Sequence, residues 1–139
     1  MEKKIEHITS LIDRIGDIKI SEIHDIFYSI INDLTSKIDN YIGDYPTFIE
    51  PVHLEKNVEI GDDVLLGPNV YIGSHSIIGD YVEISNSIIL DNVRIGENIK
   101  LENCIVGNKS NLNFNSFNAK NSVILGSGTS VNDLKVIKF

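Results

Sequence analysis

A six-residue repeat constrains this chain more than any other feature. From residue 58 it reads Val58-x-Ile60-Gly61, Val64-x-Leu66-Gly67, Val70-x-Ile72-Gly73, Ser76-x-Ile78-Gly79 and Val82-x-Ile84-Ser85. A short regular period of this kind specifies stacked units, each contacting its neighbours, in place of one closed core. Side chains alternate faces along an extended strand, so the first and third residues of each unit share a face, and the glycine falls where a Cβ would clash. Three units make one triangular coil. Coils spaced about 4.8 Å apart by strand hydrogen bonds place Ile60 under Ile78 and Leu66 under Ile84.

The later units keep this scheme with a shortened corner: Ser87-x-Ile89, Val93-x-Ile95-Gly96, Ile99-x-Leu101, Cys104-x-Val106-Gly107 and Ser110-x-Leu112. The spacing falls to five between Ile84 and Ile89 and again between Leu101 and Val106, one coil apart, so the two short corners are expected to stack. Between Asn113 and Asn121 the register is lost. It returns at Ser122-Val123-Ile124-Leu125-Gly126, which gives about five coils.

Before the repeat the period is helical. Ile5, Ile8, Ile12 and Ile15 mark a short first helix, which Gly16 and Asp17-Ile18-Lys19-Ile20 interrupt. Ser21 offers a cap for a second helix with the stripe Ile23, Ile26, Phe27, Ile30, Ile31, Leu34, Ile38 and Ile42. A face this wide must cover the solenoid flank, its open end or a partner helix. Asp44, Pro46 and Pro51 end helical character, which divides the chain into a helical segment, 1–45, and a repeat domain, 46–139. The predicted class is mainly β: a parallel β-helix of about five coils behind two helices.

The net charge of −8 is shared between both segments without a lysine or arginine cluster, which disfavours nucleic acid and anionic membrane as partners. No stretch reaches the ~20 apolar residues of a membrane span. The single cysteine, Cys104, has no partner for an internal disulfide, and no apolar signal-like run follows the first lysines, so a cytoplasmic location is expected.

The inward aliphatics, the turn glycines and the run Asn-Ser-Ile-Ile-Leu-Asp-Asn-Val-Arg-Ile-Gly at residues 86–96 resemble the left-handed β-helix of hexapeptide-repeat proteins. With Ile78-Gly79-Asp80-Tyr81-Val82-Glu83-Ile84 before it and Asn103-Cys104-Ile105-Val106-Gly107 after it, the stretch is similar to the C-terminal domain of sugar-1-phosphate nucleotidyltransferases of the glucose-1-phosphate thymidylyl- or uridylyltransferase type. The likeness covers roughly residues 51–136. The left hand of the coil and a homotrimer packed side by side are what this resemblance implies. The helical segment is similar to the linker helix of that family. The family's glycine-rich nucleotide-binding loop with its arginine is not present, so nucleotidyl transfer by this chain alone is not expected.

The fold's second activity is acyl transfer from acetyl-CoA, with a histidine between neighbouring solenoids as general base. Relatives that carry it place histidines shortly after the Asn-Ser-Ile-Ile stretch, where this chain has Gly96, Glu97 and Asn98. Their Gly-Ala-Gly-Thr element is replaced by Asn113-Phe114-Asn115-Ser116. His75, in the turn Gly73-Ser74-His75, is the remaining candidate for a catalytic base, weighed against an exposed turn histidine. His53 points outward from the first coil and reads better as packed near the helices. His7 and His24 have no metal-ligand spacing, and no metal is expected.

Cys104 takes an inward position as a small hydrophobe. Asp62-Asp63, Asp80, Asp91 and Glu97 read as solvated turn carboxylates. The asparagines at 108, 111, 113, 115, 118 and 121 could hold a sugar hydroxyl, with Asn113, Asn115 and Asn118 as the candidate ligand-binding set, or serve turns that need the left-handed conformation. Tyr71 and Tyr81 point outward, as subunit contacts or isolated surface rings. The leading expectation is a stand-alone trimeric regulatory, scaffold or ligand-binding subunit in sugar-nucleotide metabolism, with a small sugar phosphate as a conceivable ligand and no cofactor. The alternatives are an acetyl-CoA-dependent acyltransferase and a C-terminal fragment of a sugar nucleotidyltransferase.

Overall fold

The computed structural model describes residues 1–126 and 131–139. Two helices, α1 (Glu2–Asp13) and α2 (Ile20–Ile31), precede a solenoid of about five coils. Its first three coils are β1 (Ile42–Gly43), β2 (Thr47–Phe48) and β3 (Val52–Leu54); β4 (Glu59–Ile60), β5 (Leu65–Leu66) and β6 (Val70–Ile72); β7 (Ile77–Ile78), β8 (Glu83–Ser85) and β9 (Ser87–Ile89). β10 (Arg94–Val106) and β11 (Asn111–Leu125) each run round all three sides of one coil, and β12 (Lys135–Lys138) closes the chain.

Every coil pairs in parallel with the next, Ile60 with Ile78 and Leu66 with Ile84, as the repeat requires. Side one stacks β1, β4, β7 and the starts of β10 and β11. Side two stacks β2, β5, β8 and their middles, and side three stacks β3, β6, β9 and their ends. The inward residues form one continuous core from Val52 to Ile124, plugged from below by Ile38, Tyr41 and Phe48 and bordered by Leu134.

The short corner stacks as expected, since Leu101 lies over Ile84 and Val106 over Ile89. The lost register has a physical cause. Between Leu112, over Ile95, and Asn115, over Glu97, one residue is inserted; Phe117, over Ile99, takes a position held by aliphatics in other coils, and Phe114, in the inserted stretch above Gly96, packs at the core edge. The glycines act by close approach. A Cβ on Gly79 would lie 2.5 Å from the carbonyl oxygen of Gly96, and one on Gly96 would meet that of Phe114. The corners themselves turn on non-glycine residues with φ between 47° and 64°, mostly asparagines such as Asn57, Asn69, Asn86, Asn92 and Asn98, because Asn tolerates that region best.

The second helix is shorter than its stripe. It ends at Ile31; Lys37 bridges to His53, and Ile42 belongs to β1 under Glu59, so Ile38 and Ile42 follow the solenoid's geometry. Its N-cap is Lys19, with Ser21 already inside the first turn and making no cap. The helices cover a flank of their own solenoid: Ile8, Leu11, Ile12, Ile23, Phe27 and Ile30 pack on Tyr71, Ile88, Leu90, Ile105 and Val123 of side three. That side carries apolar residues on both faces, and burial on both faces of a sheet demands it.

Candidate functional site

The outward column of side three is His53, Tyr71, Ile88, Ile105 and Val123, each in register with the next. The helices seal its upper part, and the first turn of α1 leaves a cleft of about 490 Å³ over its lower end, bordered by Glu2, Glu6, Lys37, His53, Glu55 and Asp91. His53 and Glu55 share a face because they are two residues apart on a strand. His53 Nε2 lies 2.6 Å from Glu55 Oε1, Nδ1 lies 3.3 Å from the Thr35 carbonyl oxygen, and the ring stacks on Tyr71 at 5.3 Å. Both ring nitrogens are directed at protein acceptors, which fixes the ring's orientation against the strand. Tyr71 is buried, and burial first, then the carboxylates of Glu55, Asp91 and Glu2, pushes its phenol well above the ordinary value. Four carboxylates against Lys37 and the Met1 amino group leave the cleft net acidic, which disfavours a phosphate.

His75 stands exposed on the corner between sides three and one, with φ 63° and Nε2 3.1 Å from Asn57 Nδ2 one coil below. Asn98, Asn113 and Asn115 lie at the corner between sides one and two. There Asn98 Nδ2 donates to Asn115 Oδ1 at 2.9 Å, the Ser116 hydroxyl donates to the same oxygen at 3.3 Å, and Asn113 N–H donates to Asn111 Oδ1 at 2.9 Å. Asn118 faces outward on side two above Lys100, beside a shallow hollow that Asn98, Ser116 and Phe117 share. Asn118 thus borders this hollow, Asn115 contacts two of its lining residues, Asn98 and Ser116, Asn113 belongs to the inserted bulge, and His75 sits at the far end of side one from all three within a single chain.

Several side chains do more than their sequence positions announced. Asp80 accepts the N–H of Asp62 at 2.9 Å, Asp91 that of Ser74 at 2.9 Å, and Asn108 that of Asp91 at 2.9 Å. These two aspartates, read as solvated, stitch adjacent coils. Tyr71, read as an outward contact or surface ring, lies under the helices at 5% exposure, whereas Tyr81 is 56% exposed. Cys104 lies between Ser87 and Ser122 in an inward column; its thiol donates to the Glu102 carbonyl at 3.3 Å, and its N–H donates to Ser87 Oγ at 3.0 Å. Burial pushes the thiol up, which makes it a poor nucleophile.

His24 packs edge-on to Tyr28 and Phe139, and His7 lies on the outer surface of α1. No group of three His, Cys, Asp or Glu side chains among the described residues could hold a metal ion, and no described helix is long and apolar enough to cross a membrane. The cluster that sequence reasoning underweighted is His53, Glu55 and Tyr71. Its signal was the two-residue spacing of the first pair and the 18-residue step from His53 to Tyr71, one coil.

Residues 48–138 match the family described as the GMPPB C-terminal domain. Among solved structures, the chain is similar to a maltose O-acetyltransferase from Clostridium difficile 630 at 20% identity, with a TM-score of 0.31 over 98% of this chain and 84% of that one. No curated protein matches the chain.

Proposed function

We propose, from the premise that this chain belongs to the family of the GMPPB C-terminal domain, the left-handed β-helix of sugar-1-phosphate nucleotidyltransferases, that it works by assembly: a regulatory or scaffold subunit in sugar-nucleotide metabolism, built as a homotrimer. The carrying observation is the division of its surface. The chain's own helices bury side three, while sides one and two are left uncovered by the helices and, at the N-terminal coil, Ile42, Tyr45 and Ile49 are 60%, 94% and 47% exposed. Exposed apolar residues gathered at one end of a fold are a usual mark of a protein contact. The acidic lining of the cleft favours such a role over acid–base chemistry on a phosphorylated sugar.

Sedimentation equilibrium tests the assembly: a mass three times the 15.5 kDa chain is expected, and a monomer at micromolar concentration would overturn the trimer. The metabolic role is tested by assaying a sugar-1-phosphate nucleotidyltransferase from the same cell with and without this chain. A changed rate or a changed response to its nucleotide-sugar product is expected, and no change in either would overturn the regulatory reading.

A further inference from the structure

Tyr71 forms part of the cleft beneath the first turn of α1 and is only 5% exposed, yet its hydroxyl makes no hydrogen bond with any described residue. No fully buried side-chain oxygen among the described residues lacks a partner, so the small part of Tyr71 that stays open includes this hydroxyl, and it opens into the cleft. A tyrosine buried to this degree ordinarily finds a hydrogen-bond partner. This one keeps a donor and two lone pairs for a group that enters from outside.

Carboxylates surround it. Besides burial, every charged group that acts on the phenol's ionisation is an acid, Glu55, Asp91 and Glu2, while Lys37 and the Met1 amino group line the same cleft without being among them. Two of these acids have one oxygen committed and one spare. Glu55 Oε1 meets His53 Nε2 at 2.6 Å and Asp91 Oδ1 accepts the Ser74 N–H at 2.9 Å, whereas Glu55 Oε2 and Asp91 Oδ2 make no hydrogen bond with a described residue. Glu6 lines the cleft one helical turn beyond Glu2, about 6 Å along α1, with half-buried Ile5 between them. It makes no ion pair with a described residue.

We infer that this cleft binds a small organic dication, an alkyl diamine: one ammonium donates to the Tyr71 oxygen, Glu55 and Asp91, the alkyl chain lies on Ile5, and the second ammonium meets Glu6. The three N–H donors of an ammonium match the three acceptors gathered at the phenol. Four carboxylates against Lys37 and the Met1 amino group leave two negative charges, which one diamine neutralises. A metal ion does not suit the same acids, because no three described His, Cys, Asp or Glu side chains stand close enough to share one. A cleft of about 490 Å³ takes such a molecule whole, and its two ends tie α1 to the solenoid. The site is complete within one chain, so it stands apart from the threefold assembly.

Isothermal titration of the intact chain with diaminobutane at low salt reads the site, and saturable binding of one molecule per chain is expected below about 10 mM. Butylamine, which carries the single ammonium of a lysine side chain, is expected to bind about tenfold more weakly, and magnesium chloride at equal charge not to displace the diamine. Tyr71→Phe keeps the ring under the helices and removes only the oxygen, so both amines should bind about tenfold more weakly while the melting midpoint reports the fold. Glu6→Gln, at an exposed position, is expected to weaken diaminobutane about threefold and to leave butylamine unchanged, and it decides the matter should Tyr71→Phe fail to fold. No saturable binding, displacement by magnesium, or undiminished affinity in a folded Tyr71→Phe would overturn the site. Butylamine binding as tightly as diaminobutane, the mark of a site for a partner's lysine, or Glu6→Gln acting on both amines alike would overturn the dication.

Discussion

Side three and side two are written with the same six-residue grammar, and both turn buried columns inward, of branched aliphatics on side two except at Ala119, and including Ser87, Cys104 and Ser122 on side three. Their outer faces differ. On side three the outward positions are Tyr71, Ile88, Ile105 and Val123, all buried under α1 and α2. On side two the corresponding positions are Leu65, Glu83, Lys100 and Asn118, facing water, with their opposite charges paired. The repeat fixes the prism, and the residues it leaves unspecified decide which face is covered and which stays open.

The largest expected effect comes from placing one substitution on both faces. Ile88→Lys puts an unpaired ammonium beneath the helices and is expected to cost about 4 kcal/mol or more, whereas Leu65→Lys, beside Glu83, should stay within about 1 kcal/mol. Urea unfolding of the two variants measures the difference. Equal costs would mean that the helices do not hold side three as described.

A second contrast sets coil-to-coil contact against the helical segment. Gly79→Ala forces a Cβ against the backbone of the next coil and is expected to cost about 2 kcal/mol, while Gly16→Ala meets nothing within 4 Å and should be neutral or stabilise by about 0.5 kcal/mol. Thermal unfolding midpoints report both, and a tolerated Gly79→Ala would show that the coils can part locally.

Alkali sharpens the comparison at lower amplitude. Tyr71 ionises less readily folded than unfolded, so its contribution is complete below the ordinary tyrosine pKa of about 10 and is lost as pH rises above it, because only the unfolded chain gains by ionising. Stability of the wild type should therefore fall above about pH 10, and Tyr71→Phe should flatten that fall. An unchanged alkaline slope in the variant would place the phenol in water.

The smallest effect is expected at Cys104. Its neighbours above and below in the column, Ser122 and Ser87, already make its hydrogen bonds with hydroxyls, so Cys104→Ser should change stability by less than about 1 kcal/mol. A larger loss would mean that the site is apolar in a way its column is not.

The inward columns were legible in the sequence because a period of six leaves few alternatives for Val58, Ile60, Val64 and Leu66. The cover on side three was legible only indirectly: the runs Ser87-Ile88-Ile89-Leu90 and Cys104-Ile105-Val106 abandon alternation, which marks a strand buried on both faces. The stretch from Asn113 to Asn121 was not readable, since one inserted residue shifts the phase while Phe117 and Ala119 replace the expected aliphatics. Helical periodicity also ran on falsely through Ile38 and Ile42, because spacings of four occur in both regimes. The pairing of His53 with Glu55 was readable as a shared face, but its contact with the Thr35 carbonyl depends on how the chain leaves α2, which local spacing does not encode.

β12 lies antiparallel on the end of β11, Val123 against Ile137 and Ile124 against Val136, while every other ladder among the described residues is parallel. A repeat protein ordinarily lengthens by duplicating a unit, and each new coil must be presented with a parallel edge on all three sides. With side three reversed at its upper rim, a duplicated coil finds no template there. Descendants of this chain can gain or lose coils in the middle of the stack, where Gly79 and Gly96 set the fit, but growth at the C-terminal rim requires the last strand to be displaced first.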